Sequence, residues 1–506
     1  MIPAPAMRLS NLLRGAGVTP LTAPECDPVI RQVGLDSRSV GPDSLFCALR
    51  GLHSNGEQFV QQAVRQGASA VLAASPRPAD LDPAVAWLQV DDPRMQVAPL
   101  SRELYGRPDE AMKLVGITGT NGKTTTAYMV DAIVRAAGRN SGRVGTIDYA
   151  WNDVQRPAPH TTPEGPDLFA LLAEMRDEGV EWVAMEVSSH ALCMGRVRSA
   201  RFDVAAFLNL RRDHLDFHQD VDSYLEAKSL LFRSLDPDDT AILNADDPMS
   251  AAVADRTCAR VLTFGRNPAA DIQIRSDSST VSGSRAILAT PWGELPIFTP
   301  LAGPFNLENA AAAAACTLAG GLNHDAVRQG VETLAAVPGR MERVDRGGEF
   351  AVFVDYAHTD DALSALLAAA RNLASGRVLV VFGCGGDRDR GKRAAMGATA
   401  ARMADLLFPT SDNPRNEQPE AILAEVEEGI ATVPGGPTRS FRALDREEAI
   451  RLAVASARPG DVLVIAGKGH ETTQTTAGRT QPFDDREVAR RILGEARHTG
   501  RDHAEA

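Results

Sequence analysis

Residues 118–126 read TGTNGKTTT. Small side chains let backbone N–H groups close on phosphate oxygens, and a helix starting at such a loop adds positive potential. Lys123 can then reach the β- and γ-phosphates of a nucleotide, and the Thr124 hydroxyl can ligate Mg²⁺. The usual phosphate-loop spacing needs Gly at 117, where this chain has Ile117, so the loop is a compact variant. The competing reading is a Gly-rich turn with a solvated lysine.

Other chemistry-bearing residues follow apolar runs. EWVAMEV (181–187) carries Glu186 and leads to Ser188, Ser189 and His190; FDVAAFL (202–208) leads to Asn209, Asp213, His214, Asp216 and His218; TAIL (240–243) leads to Asn244, Asp246 and Asp247. In open parallel sheets ligands sit outside the carboxyl ends of the strands. A strand-end Glu beside a phosphate loop can hold Mg²⁺ directly or through water. Taken singly, residues such as His218 or Asp247 read equally well as loop caps. In DSYLEAKSLLF, Lys228 shares a helical apolar stripe with Tyr224, Leu225 and Leu231. A buried, unpaired lysine is costly, and the alternative is a side chain that snorkels to water.

The elements that must position these groups are strand–loop–helix units. KLVGI is a buried strand, the Gly/Thr-rich turn follows, and Val130, Ile133, Val134 and Ala137 recur at helical spacing until Gly138. The pattern returns at 377–430: strand RVLVVFG, helix Lys392–Ala404, strand DLLFPTS and helix Glu420–Ile430; the strand DVLVIAG closes the series. Such alternation predicts an α/β protein with mainly parallel sheets. Short segments and many prolines set the first hundred residues apart. Pro108 and Pro338-Gly339 punctuate the chain. Domains are therefore expected at 1–108, 109–337 and 338–506, with a frayed polar tail at 495–506.

At 506 residues the chain is long enough for three to four domains of roughly 150 residues each. A net charge of −13 argues against a nucleic-acid coat or an anionic-membrane binder. There is no long apolar run for a membrane span and no apolar core of signal-peptide type at the start. Six scattered cysteines without a CxxC pair fit reduced thiols in a cytoplasm. This chemistry gives an Mg-ATP enzyme, without distinguishing kinase, ATPase and ligase.

TGTNGKTTT, HTTPE (160–164), MEVSSH (185–190), NLRRDHLDFH (209–218), EAKSLLF (226–232), GRME (339–342), VDYAHTDDAL (354–363), GCGGDRDRGKR (383–393), DNPR (412–415) and GKGHE (467–471) occur in that order. Together they resemble the Mur ligases of peptidoglycan synthesis, and within them the diaminopimelate-adding branch. LDSR (35–38) and GLHSNG (51–56) extend the likeness over nearly the whole chain.

The resemblance implies three domains: an N-terminal α/β UDP-binding domain, a central P-loop ATPase-like parallel-sheet domain and a C-terminal Rossmann-like domain that binds the amino acid. It implies a cytoplasmic monomer that uses ATP to join meso-diaminopimelate to the D-Glu γ-carboxylate of UDP-N-acetylmuramoyl-L-Ala-D-Glu through an acyl phosphate. On its motifs, Gly119, Thr120, Asn121, Gly122, Lys123, Thr124 and Thr125 would cradle ATP, with Asn244, Arg340, Asp355 and His358 as further nucleotide contacts. Thr124 and Glu186 would hold one Mg²⁺. His214 and Lys228 would serve a second, Lys228 as a CO₂-derived carbamate; with Lys123 these two form the expected catalytic set.

Leu35, Ser37, His53, Thr161, Thr162, Ser188, Met194 and Arg196 would contact the UDP-sugar peptide. Asn55 stands where this loop often has Asp, and Met194 where a Gln is often found, so the contact at 194 would be lost or water-mediated. Arg388, Asp412, Asn413, Pro414, Arg415, Gly467 and Glu471 would bind the amino acid. Arg415 would offer the distal carboxylate of diaminopimelate a planar fork; the alternative for Arg415 is a surface ion pair. Folylpolyglutamate synthase and a lysine-adding Mur enzyme are the near alternatives, and Arg415 and LDSR argue against both. A non-catalytic nucleotide-binding scaffold would have lost Lys123, Glu186 or Lys228. A P-loop motor would hydrolyse ATP without an amino acid.

Overall fold

The structure is a computed structural model that describes residues 5–51, 54–211, 213, 215–345 and 347–502. It is built on three main sheets. The first has four parallel strands in chain order, Gln32–Gly34, Ser44–Cys47, Ala68–Ala73 and Ala86–Gln89. The helix Arg94–Leu104 leads out of it and packs on Gly165–Asp177 of the next unit, where a Cβ on Gly165 would come within 2.9 Å of the Ala98 Cα. Leu100, Leu104, Leu168 and Phe169 thus share one core.

The second sheet has 11 strands. Its middle is parallel and contains Ser141–Val144, Trp182–Glu186, Lys113–Thr118, Val204–Phe207 and Thr240–Asn244, side by side in that order. These strands are buried on both faces, which is why they read as continuous apolar runs. The expectation of mainly parallel sheets holds in all three sheets, and within this one it fails only toward the two edges. Asp148–Trp151 and Val154–Pro157 add an antiparallel hairpin at one edge, and Ile272–Thr280, Gly283–Thr290 and Gly293–Thr299 form an antiparallel run at the other. In the latter, Ile272, Ile274, Leu288, Leu295 and Ile297 face the core at alternate positions, leaving polar residues to the other side.

The helices Lys123–Ala136 and Pro304–Ala319 cover one face of this sheet. Six consecutive alanines, Ala310 to Ala315, are fully buried, and their small size lets the helix lie close to the strands.

The third sheet places Glu342–Arg343, Ala351–Asp355, Val462–Ala466, Val378–Phe382 and Leu406–Pro409 in that order, the last four parallel. Asp360–Leu373, Gly391–Met403 and Pro419–Ala431 pack on one face; Arg446–Ser456 and Asp485–Asp502 pack on the other. This is a doubly wound, Rossmann-like layer. The expected frayed tail is instead helix as far as Asp502. Val488, Ala489 and Ile492 anchor that helix, and Glu495 pairs with Arg451 at 2.7 Å. All six cysteines are free thiols. Among the described residues, no helix is long and apolar enough to cross a membrane.

Candidate active site

Because the central strands run parallel, their carboxyl ends gather the phosphate loop, Glu186, Asn209 and Asn244 on one edge. Gly122 has φ 90°, and a Cβ there would meet Asn309 Oδ1 at 2.4 Å, so both backbone and space require glycine. The helix begins at Lys123 behind Gly122, an N-cap with no side chain to bond its first N–H groups, an arrangement suited to an anion. Lys123 Nζ folds back to donate to the carbonyls of Gly119 (2.8 Å) and Thr120 (2.9 Å). Burial holds its pKa below the usual lysine range, with Glu186 and Asp213 opposing that shift.

The Thr124 hydroxyl donates to Glu186 Oε2 at 2.9 Å. The Glu186 carboxylate also accepts from the Thr146 N–H (2.8 Å) and hydroxyl (3.0 Å). It is buried, yet its hydrogen-bond donors are neutral. A hydroxyl and a carboxylate side by side at a phosphate loop are hard oxygen donors that fit Mg²⁺, which retains waters and phosphate oxygens for its other positions. Among the described residues no group of three or more His, Cys, Asp or Glu is arranged to hold a metal.

The third sheet closes this cavity from above. Arg340 reaches Thr124 Oγ1 at 3.3 Å while its guanidinium lies 4.4 Å from the Tyr356 ring centroid. Asp355 accepts from the N–H groups of Met341 (2.7 Å) and Ala357 (2.8 Å), fixing the turn that carries Arg340; burial pushes its pKa up. His358 Nδ1 bonds the Tyr356 carbonyl at 2.9 Å, and burial holds this imidazole below the usual histidine pKa. Asn244 spends its amide on Leu208 O (2.8 Å) and on the Asp246 N–H (2.9 Å). Thr120 to Thr125, Asn244, Arg340, Asp355 and His358 line one cavity of ≈340 Å³.

A second cavity of ≈490 Å³ lies at the ends of the third sheet's strands, lined by Arg388, Asp412, Asn413, Arg415, Gly467 and Glu471. The two cavities share Asp213, Tyr356, His358 and Thr359, so they are contiguous. Asn413 donates to Glu471 at 2.7 Å, and the buried Lys468 ammonium sits 3.2 Å from the same carboxylate. Gly467 has φ 117°, and a Cβ there would crowd Asp412 Oδ2 at 2.5 Å. Arg415 is in the left-handed region at φ 53°, held by its N–H to Thr475 O (2.9 Å); its Nη1 donates to Gly386 O (2.7 Å). The Arg415 side chain is thus tied to a backbone carbonyl of the neighbouring loop. Pro414 accepts the Glu417 N–H at 3.0 Å.

Lys228 lies on the helix Val221–Arg233 with 1% of its surface exposed, so it does not snorkel. Its ammonium sits 4.4 Å from the Tyr224 ring centroid, and the Tyr224 hydroxyl is 3.3 Å from Thr120 Oγ1 of the phosphate loop. Burial first, and the Lys123 charge second, hold its pKa well below the usual range. His214 and His53 lie outside the described residues. Asp247 ties two strand ends, accepting from the N–H groups of Leu210 (3.1 Å) and Met249 (3.0 Å) and from Arg211 Nη1 (2.7 Å); the His218 Nε2 meets Ser189 Oγ at 2.8 Å.

Of the residues expected at the sugar peptide, Thr161 and Ser188 line the first cavity. Thr162 is buried and donates to Glu186 O at 2.8 Å; Arg196 reaches Thr162 O (3.0 Å) and Glu164 (2.9 Å). The Met194 sulfur lies 3.7 Å from Arg196 Nη2. Leu35 and Ser37 belong to the first sheet's unit, where Ser37 Oγ meets Gln62 Oε1 at 3.1 Å, and neither lines the two cavities. Asn55 caps a short helix through the Glu57 N–H at 3.2 Å. Thr146, Tyr356 and Asn309 were not among the sequence candidates. The available signal for Asn309 was the pair of asparagines in FNLEN, three apart on one helix face.

Three sheets in this order, with a phosphate loop facing a pocket lined by charges of both signs across a shared wall, fit an ATP-dependent ligase. Family models agree: the Mur ligase family catalytic domain matches 29–104, the Mur ligase middle domain 117–317, and the Mur ligase glutamate ligase domain 339–469. The chain belongs to the Mur ligase family, whose members are ADP-forming amide ligases. It is 45% identical over 470 residues to the UDP-N-acetylmuramoyl-L-alanyl-D-glutamate–2,6-diaminopimelate ligase of Geobacter metallireducens, covering 89% of this chain and 92% of that one. The Solibacter usitatus protein of the same name is 44% identical, covering 96% and 98%. A solved structure of a ligase of that name superposes with a TM-score of 0.67 at 32% identity, covering 93% and 95%. The ADP complex of Mycobacterium tuberculosis folylpolyglutamate synthase shares the fold, with a TM-score of 0.61 at 23% identity, covering 72% and 90%.

Proposed function

We propose that this chain ligates meso-2,6-diaminopimelate to the D-Glu γ-carboxylate of UDP-N-acetylmuramoyl-L-Ala-D-Glu, splitting ATP to ADP and phosphate. The observation that carries this is the junction of the two cavities at Asp213, Tyr356, His358 and Thr359. A phosphoryl donor in the first cavity and an amine in the second would meet one carboxylate between them. That carboxylate attacks the γ-phosphorus and the bond to ADP breaks. The neutral amine then attacks the acyl carbon, phosphate leaves, and the amine loses a proton as the amide forms. Holding the reactants at one junction supplies most of what such a reaction needs.

The chain's own residues manage charge. Lys123 and the open helix N-terminus would take the β- and γ-phosphates, and Arg340 would bridge the phosphate side to the third sheet. Thr124 and Glu186 would hold Mg²⁺, which when bound neutralises phosphate charge. Lys228 would form a carbamate, its neutral amine adding to CO₂ with loss of a proton; a buried lysine pKa favours that neutral form. His214 would join it at a second Mg²⁺. In the second cavity, Arg388 and Arg415 would take carboxylates, and Asp412, Asn413 and Glu471 the distal amine. Thr161, Ser188 and Arg196 would contact the muramoyl peptide, and Ser37 the uridine end. We place the domains at 1–108, 109–337 and 338–506, each enclosing one main sheet. We take the protein to be a monomer, acting in the cytoplasm on a nucleotide-linked precursor.

The test is phosphate release from Mg-ATP and the UDP-sugar dipeptide, with diaminopimelate, L-lysine or no amino acid. Release only with diaminopimelate, matched by a tripeptide product, is the expected result. Release with lysine alone would overturn the specificity, and release without any amino acid would overturn the ligase reading.

A further inference from the structure

The second cavity's two arginines stand on different loops, 383–388 and 412–417, and something must set their spacing. Gly386 N–H donates to Asn413 O at 2.9 Å, and Arg415 Nη1 returns to Gly386 O at 2.7 Å. A Cβ on Gly386 would come within 1.9 Å of Pro414 O, and one on Gly385 within 2.9 Å of Arg415 Nη1. The loops therefore touch backbone to backbone, and a shift of one carries the other.

Beneath them lies Arg393, whose side chain has no exposed surface. A buried guanidinium is tolerated only with well-made partners. Its Nη2 donates to Glu417 Oε1 (2.8 Å) and to Gly385 O (3.3 Å); its Nη1 donates to Glu417 Oε2 (3.0 Å) and Glu425 Oε2 (3.0 Å). Its Nε has no hydrogen-bond partner among the described residues. Glu417 in turn accepts the Asp387 N–H at 2.6 Å, one residue before Arg388. Glu425 also pairs with the exposed Arg390. Arg393 does not line the second cavity, so it cannot act by touching a ligand there.

We infer that Arg393 and Glu417 are a positioning pair that fixes Arg388 relative to Arg415 and so sets selectivity among amino acids with different distal ends. The pair holds both loops at once: Glu417 follows Arg415 in one loop, and its carboxylate fastens Asp387 and, through Arg393, Gly385 in the other. Side-chain hydrogen bonding from Arg393 pulls the Glu417 carboxyl down to about 2, so the clamp stays charged at any working pH. This inference rests on the amino-acid reading of the second cavity given above.

The test measures KM for diaminopimelate, for L-lysine and for ATP in Glu417→Gln and Arg393→Lys, with Arg415→Ala as reference. Misplacing a recognition group by a fraction of an ångström should raise the diaminopimelate KM by about tenfold and narrow its preference over lysine. KM for ATP and kcat should change less than about twofold, whereas a purely structural defect would lower kcat and Tm and leave the selectivity ratio in place. Should Glu417→Gln fail to fold, Glu417→Asp keeps the charge, retracts it by one methylene, and carries the same expectation. An unchanged selectivity ratio in the position-417 variants, with Arg415→Ala altered, would overturn the positioning pair alone. An unchanged ratio in Arg415→Ala would overturn the underlying reading of the cavity.

Discussion

The two cavities share a wall but are built by different means. The first is largely a backbone device: a turn, a helix N-terminus, hydroxyls of Thr120, Thr124, Thr146 and Thr161, and a buried carboxylate held by neutral donors. The second is a device of charged side chains, with Arg388 and Arg415 on loops that ion pairs and touching backbones hold in place. On the proposed function polyphosphate is the same in every turnover, and a cradle of N–H groups with Lys123 and Arg340 would serve it. An amino acid must be told from its analogues, and discrimination depends on where a fixed fork finds, or fails to find, a carboxylate. On that proposal generic chemistry would sit on local structure, and selection on long-range structure.

That contrast can be broken most severely at the generic side. Lys123→Ala should lower kcat by about 10²–10³, the usual cost of losing one preorganised charge at a reacting group, while the thermal unfolding curve stays close to wild type. Normal turnover in that variant would remove the phosphate-loop assignment. Lys228→Ala should follow, with activity lost by about 10² and partly restored by short carboxylic acids added to the assay, since a diffusing carboxylate can stand in for a carbamate. Full activity without rescue would mean that Lys228 acts only as a packed side chain over Tyr224.

The same contrast explains what the sequence made legible. The phosphate loop is nine contiguous residues between a strand and a helix, so its chemistry can be read from order alone. Glu186 and Asn244 were readable because parallel strands end together. The charged residues of the second cavity follow three strand ends spread over more than eighty residues of chain, from Arg388 to Glu471, and residue types alone did not assemble them; the resemblance of DNPR and GKGHE to known motifs did. The Arg393–Glu417 pair gave no signal, because RGKR and RNEQ read as solvated charge until folding buries one of them. The antiparallel edge at 272–299 was missed for a related reason. SDSST is polar on both faces, and only the alternation of Ile272, Ile274, Leu288 and Leu295 marks the core side.

On the selective side, Arg415→Ala should raise KM for diaminopimelate by about 10–100-fold, the loss of a charge-assisted hydrogen-bonded pair worth about 1.5–3 kcal/mol, and leave KM for ATP within about twofold. Equal effects on both substrates would mean that the cavities do not divide their labour as described.

The smallest effect is expected where neither cavity dominates. Met194 caps the short helix Ser189–Cys193 and lays its sulfur 3.7 Å from Arg196 Nη2. A thioether is a weak acceptor, so it steers this guanidinium feebly and offers a ligand no strong donor or acceptor. Arg196 is instead held by Thr162 O and Glu164, both upstream of the strand that carries Glu186. Met194→Gln would add an amide that can accept from Arg196 and donate to a muramoyl-peptide oxygen. One such net hydrogen bond is worth about 1 kcal/mol, so KM for the UDP-sugar dipeptide should fall by about fivefold, with KM for ATP and for diaminopimelate unmoved. A change in the diaminopimelate KM instead would show that the position-194 side chain communicates with the second cavity, and the separation of generic and selective regions would have to be redrawn to include it.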